Sequence, residues 1–417
     1  MKRLSLQLSG IALTSLFILP EGAVADDWPQ WRGPNRDGIC AETGLLESWP
    51  EAGPPKAWKA EGLGGGYSSP SIVDGKVFGT GYRDEQEIVW ALSAADGKKL
   101  WSTPTGKVAE LYEEVDYAEG PRGTPTVDGE SVFVIGAAGH LSCLETEKGT
   151  LIWTRNLVTD LGGKLMSDWG YSEAPLVDGD KVICTPGGSK GAVAALDRKT
   201  GEVIWQSKDL QDPAGYTSLV AAEIGGMKQY VVLTGTSVAG INPKDGGVLW
   251  QEKRIGRTAV VPTPIVNGNH VLVSSGYAVG SHLFEVSGSG GKFTTKRVYA
   301  SKKLKNDFGG VIKIGDQVYG SSGVVLVCMD FNTGEDVWKK RTIGGGGLLY
   351  ADGHFYLRND RGLVALLKAT PEDLVEKSQF EEGDRSDHKS WPTPVISNGH
   401  LYLRDQDTMT SYDIRKK

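Results

Sequence analysis

One eleven-residue frame recurs along the chain and restricts it to a repeat fold: Ala195-Leu196-Asp197-Arg198-Lys199-Thr200-Gly201-Glu202-Val203-Ile204-Trp205. It returns as Ala91, Asp96, Gly97 and Trp101; as Cys143, Glu145, Gly149 and Trp153; as Gly240, Asn242, Gly246 and Trp250; and as Cys328, Asp330, Thr333, Gly334 and Trp338. The tryptophans at 101, 153, 205, 250 and 338 are spaced by 52, 52, 45 and 88, the last being two steps of 44. A period of this size is the signature of stacked supersecondary units.

Upstream of each frame lies a second signature, Ser69-Pro70-Ser71-Ile72-Val73-Asp74-Gly75-Lys76-Val77-Phe78 in its first copy. Apolar and β-branched residues flank an Asp-Gly that accepts positive φ, which reads as strand, two-residue turn, strand. Copies stand at Thr124, Ala174, Thr263 and Thr393, with weaker turns at Gly225-Gly226, Gly315-Asp316 and Asp352-Gly353. Each unit is therefore strand A, turn, strand B, loop, strand C, Asx-x-x-Thr-Gly turn, and strand D ending in Trp. Eight units of this kind predict an all-β, eight-bladed β-propeller of four-stranded antiparallel blades. Trp58, Trp101, Trp153, Trp205, Trp250 and Trp338 are the expected docking residues, each wedged flat against the next blade. Blade five offers Gly290, Gly291 and Phe293 instead, and blade seven has lost the Trp as well.

The last repeat ends after strand C, at Tyr412-Asp413, whereas Pro54-Pro55-Lys56-Ala57-Trp58 is a strand D with no blade of its own. The N-terminal strand is therefore expected to complete blade eight and close the ring. The organisation expected is a signal peptide over 1–25, an extension packing on the propeller over 26–53, and the propeller over 54–417. Lys2 and Arg3 precede an apolar stretch from Leu4 to Leu19, and Ala23-Val24-Ala25 offers small residues for cleavage. Export to the periplasm or the exterior follows, with no transmembrane segment left after cleavage.

The net charge is −7 and no basic stripe occurs, which argues against nucleic acid as a partner. Four cysteines in an exported chain point first to disulfides. Cys143 and Cys328, however, occupy the small-residue slot filled by Ala91, Ala195 and Gly240 elsewhere, so they read as small buried apolar residues. The six histidines show no zinc-ligand spacing.

The Ala-x-Asp-x-x-Thr-Gly-x-x-x-Trp frame resembles the tryptophan-docking motif of quinoprotein propellers. The opening Asp27-Trp28-Pro29-Gln30-Trp31-Arg32-Gly33-Pro34, with Asp37-Gly38 after it, is similar to the start of exported bacterial pyrroloquinoline-quinone (PQQ)-like repeat proteins. Two branches imply two functions. Quinoprotein alcohol dehydrogenases hold PQQ with calcium in the central funnel, often over a vicinal Cys-Cys that this chain lacks. The BamB-like branch holds no cofactor and acts as a protein-binding scaffold.

A ligand site is expected where the D-to-A loops ring one mouth of the channel. Candidates for a flat conjugated ligand are Tyr67, Arg122, Trp169, Tyr171, Arg257, Asn306 and Trp391, with aromatic faces to stack on and guanidinium groups for acidic substituents. Asp168, Asn306 and Asp307 carry oxygens suited to calcium, and Asp168 or Asp307 would serve as a catalytic base beside a bound quinone. The Asp116-Tyr117 pair belongs to the same set of loops. The structural alternative is that these residues serve turns and plug the channel. Trp28, Trp31 and Arg32 are expected to pack along the propeller flank, with a recognition patch as the other reading. The leading expectation is a monomeric scaffold without a cofactor that binds a protein or an envelope polymer. The alternative is an alcohol or sugar dehydrogenase using PQQ and calcium.

Overall fold

The computed structural model describes residues 27–108 and 119–416; the leader stretch and the Asp116-Tyr117 pair lie outside them. The described residues form eight antiparallel blades arranged as a propeller. Blade three shows the plan: Leu176–Asp178, Lys181–Cys184, Ala194–Asp197 and Val203–Gln206 pair in sequence order from axis to rim. Strands B and C are covered on both faces and read as unbroken apolar runs, as Val132, Phe133, Val134 and Ile135 do in blade two. Strand D has one face in water, so only Trp153 of Leu151–Asn156 is buried.

The recurring frame is the hinge between C and D. Asp197 Oδ1 accepts the backbone N–H of Lys199 and of Thr200, both at 2.9 Å, and Asp330 does the same for Asn332 and Thr333. Gly201 sits at φ 68°, and a Cβ on it would lie 2.7 Å from the Trp153 ring. Only glycine satisfies both demands, because the turn needs the left-handed region and the Trp of the preceding blade lies flat on it. Trp58 on Gly97, Trp101 on Gly149 and Trp205 on Gly246 repeat the contact. The indole N–H then donates into the next blade, from Trp58 to Ala94 O, Trp101 to Thr146 O, Trp153 to Arg198 O, Trp205 to Pro243 O and Trp338 to Thr370 O. Trp250 departs from this: its indole bonds Gln229 Oε1 within its own blade.

The two blades without Trp solve the problem differently. In blade five, strands Gly280–Ser289 and Lys292–Ser301 are longer, which moves the wedge beyond Phe293 to Tyr299. Tyr299 pairs with Leu283, packs on Gly334 and donates to Phe331 O at 3.0 Å. In blade seven Phe380 takes the place and lies against Gly53, with Trp49 of the N-terminal extension edge-on to it.

The ring is closed by the N-terminal strand. Lys56–Ala60 pairs with Thr408–Asp413, setting Trp58 opposite Ser411 in the register that Trp205 keeps with Ala195. Blade seven gains a fifth, innermost strand, Ile39–Cys40, parallel to Gly346–Ala351.

The segment ahead of that strand runs down the axis rather than along the flank expected from the sequence. Trp28 bridges Ile72 of blade one, and Pro29 O accepts from Val127 of blade two. Arg36 donates to Ala174 O, Pro175 O and Leu219 O of blades three and four. Trp31 Nε1 donates to Thr263 Oγ1 of blade five, and Arg32 to Gly309 O and Val311 O of blade six. Gly38 O accepts from Tyr350 of blade seven, and Glu42 receives the Asn398 and Gly399 N–H groups of blade eight. Residues 28–42 thus touch all eight blades. Inner strands facing a channel would leave carbonyls unmet, and the two buried guanidinium groups satisfy them. Burial pulls both arginines down to about 10. Beside Arg36 the buried Glu173 accepts from Thr185 N–H and hydroxyl; burial pushes its carboxyl up to about 7 despite those bonds and Arg36.

Cys40, Cys143, Cys184 and Cys328 are all free and buried.

Candidate functional site

In an antiparallel blade the A–B and C–D turns share one end, so the B–C and D–A loops share the other. At that second end the loops surround a funnel of about 490 Å³, within the ordinary range for ligand sites. Its floor is Trp31 of the axial segment, so the funnel is a cup and not a passage.

Seven aromatic rings line the cup: Trp31, Tyr67, Trp169, Tyr216, Tyr277, Phe308 and Trp391. Two pairs stand out. Tyr67 and Trp391 lie 4.7 Å apart between centroids, and Trp169 and Tyr216 lie 6.1 Å apart. Arg122 joins them, with its guanidinium 5.5 Å over the Tyr67 ring and its Nη1 donating to Trp169 O at 2.7 Å. Tyr67 is fixed from behind, because its hydroxyl donates to Glu119 Oε2 and Glu119 Oε1 meets His388 Nδ1 at 2.8 Å. Burial, then the Glu119 contact, raises the phenol well above its ordinary value. Tyr216 shares a 2.6 Å hydrogen bond with Ser167, which also donates to Thr258 O and ties two loops together.

Among the described residues four charged side chains reach the cup: Arg122, Lys389, Asp307 and Asp360. Lys389 pairs with Asp360 at 2.8 Å. Asp307 rests on Gly276, where a Cβ would lie 1.2 Å from its Oδ1, and that oxygen is buried without a partner among the described residues. Burial raises its carboxyl, opposed by the Tyr277 N–H and by Lys305. Ser172 Oγ in the same wall is likewise buried and unmet.

Of the residues anticipated from the sequence, Tyr67, Arg122, Trp169, Asp307 and Trp391 converge here. The others do not. Tyr171 is buried behind the wall and donates to Pro186 O. Asn306 is fully buried, with its amide on Ser321 O and its oxygen on Phe308 N–H. Asp168 and Arg257 point into solvent outside the lining. Trp31, expected on the flank, lies in the cup instead. Tyr277 and Asp360 escaped the sequence reading; they sit on B–C loops, whose place beside the D–A loops follows from strand alternation alone.

The donor set does not fit calcium. Asn306 is turned away and Asp168 is exposed, and no group of three His, Cys, Asp or Glu converges among the described residues. A flat ring system fits the aromatic walls, but the acidic groups of PQQ meet a lining whose two cations are balanced by two carboxylates.

A sequence model of the family described as outer membrane protein assembly factor BamB matches residues 84–340. The chain belongs to this family, the PQQ-like β-propeller proteins. The BamB of Kangiella koreensis is 25% identical over 225 residues, covering 50% of this chain and 48% of the relative. The dehydrogenase subunit of the quinone alcohol dehydrogenase of Gluconacetobacter polyoxogenes is 25% identical over 189 residues, covering 44% of this chain and 25% of the relative. The chain thus matches between a quarter and about half of the length of these curated relatives. Among solved structures, BamB from Moraxella catarrhalis superposes with a TM-score of 0.58 at 17% identity, over 83% of this chain and 94% of the other. A europium-containing methanol dehydrogenase gives 0.65 at 12% identity, over 91% and 89%. These likenesses are of fold.

Proposed function

We propose that this protein is a binding module of the cell envelope, which captures a ligand in the aromatic cup without a redox cofactor. The observation that carries this is the sealed axis: the axial segment turns the ring into a rigid cup in which, among the described residues, the lining charges cancel and no carboxylates converge for calcium. Membership of the BamB family supports a scaffold, and the leader-like sequence of residues 1–25 supports export. A rigid ring that presents preformed platforms spends little ordering entropy on capture. The experiment is reconstitution with PQQ and Ca²⁺ over a panel of alcohols and sugars, followed by cofactor absorbance and dye reduction. No dye reduction is expected. Turnover that needs both additions would overturn the reading in favour of a quinone-dependent dehydrogenase.

A further inference from the structure

Resting on that reading, the geometry points to a glycan as the ligand: we propose that the cup takes a neutral oligosaccharide, its rings lying on Trp391 and Trp169, which the buried Tyr67 and Tyr216 back. Three observations carry the inference. First, the platforms are successive. In ring order Trp391, Tyr67, Arg122, Trp169 and Tyr216 occupy five neighbouring blade junctions of the eight around the mouth. A single planar cofactor needs one sandwich, whereas a polymer of ring units meets one platform after another. Sugar rings present weakly positive C–H faces, which match the negative face of an aromatic ring. Second, the charges of the lining among the described residues sum to zero, with Arg122 and Lys389 against Asp307 and Asp360. A polyanion or a polycation gains no net attraction from such a lining, and a neutral polyol needs none. Third, the lining offers partly exposed polar groups of both kinds, the Lys389 ammonium and the Asp360 carboxylate, which lie 2.8 Å apart. A hydroxyl both donates and accepts, so a hydroxyl-rich ligand bonds either group, and an extended apolar peptide bonds neither.

The test uses the full protein and a panel of neutral oligosaccharides (gluco-, xylo-, manno- and N-acetylglucosamine series), read by tryptophan fluorescence and by retardation in glycan-loaded gels. At least one series is expected to bind. Trp169→Ala and Trp391→Ala should each weaken that binding by about tenfold or more, as truncation of a buried aromatic anchor does. Leu100→Ala, on an outer strand, should leave it unchanged. Failure of every neutral series, binding of acidic glycans alone, or binding untouched by both tryptophan variants would overturn the proposal. A photo-crosslinker placed at Tyr277 separates the two readings. If it captures a protein in the absence of any glycan binding, the ligand class falls and the binding module stands. Dye reduction with PQQ would remove the module itself.

Discussion

The rim and the axis of this propeller are held by tryptophans and by glycines, yet under different rules. At the rim, Trp101, Trp153 and Trp205 repeat one contact, each ring on the next blade's glycine with an indole N–H to the next blade's carbonyl. On the axis, Trp28, Trp31, Arg32 and Arg36 each have a single partner set that no other residue copies. A neighbour-to-neighbour problem has one solution that can be used again and again, and five of the eight junctions share the indole-to-carbonyl bond. The centre faces eight blades at once and needs a segment that differs at every step.

The comparison is broken or sharpened by variants at each place. Deletion of residues 27–60 should have the largest effect, because it removes the axial segment and strand D of blade eight together. The truncated chain is expected to aggregate; a monomer melting at the parent temperature would refute the closed-ring account. Next, Trp153→Ala should cost about 3–5 kcal/mol in denaturant unfolding, with Trp101→Ala in the same range because the contact repeats. Arg36→Met tests the axis. It removes the donor to Ala174 O and Leu219 O, while Pro175 O keeps the Thr126 hydroxyl, and should cost about 3 kcal/mol, at the 1–3 kcal/mol typical of each buried group left unmet. A neutral result would reduce the axial segment to filler.

Glu173 gives the axis a pH signature. Folded, it keeps its proton to about 7, while the unfolded chain releases it near 4.5. The folded state therefore binds more protons between those values, so stability is full below 4.5 and declines as pH rises towards 7. At about 1.4 kcal/mol per pH unit the loss is about 3 kcal/mol. Glu173→Gln should remove that slope from unfolding curves taken at pH 4.5, 6 and 7.5, and an unchanged slope would show that Glu173 is ionised in the fold. The smallest effect is expected at the rim again: Tyr299→Phe removes one hydrogen bond to Phe331 O and should cost about 1 kcal/mol.

The same division decides what was legible in the sequence. Blade count, ring closure and the Asp197-type turns are periodic, so each copy checks the others. Tyr299 was missed because blade five lengthens two strands and shifts its wedge out of frame. The course of Trp28 to Gly38 was missed because a single copy has no period to be read from. Folded, that stretch is tightly wound, with φ of 64° and 56° at Arg32 and Arg36 and near 80° at Gly33 and Gly38, positions whose arginines give no such signal in a sequence. The cup was half legible. The D–A loops gave Tyr67, Arg122, Trp169, Asp307 and Trp391, but burial of Asn306 and Tyr171 depends on which way a loop side chain turns, and that is fixed only by packing.

The axial segment also sets a timetable. Residues 28–42 emerge from the ribosome before any blade exists, and their partners arrive in order from Ile72 to Gly399. The growing protein thus carries its own mandrel, around which successive blades are laid. Strand Lys56–Ala60 must wait with an open edge until Thr408–Asp413 is made, and Trp58 meets Ser411 across a separation of 353 positions (411 minus 58). Contacts so distant form slowly. A nascent chain halted anywhere short of residue 408 is an open arc with one strand unclaimed, and it becomes a ring only when that last hairpin arrives.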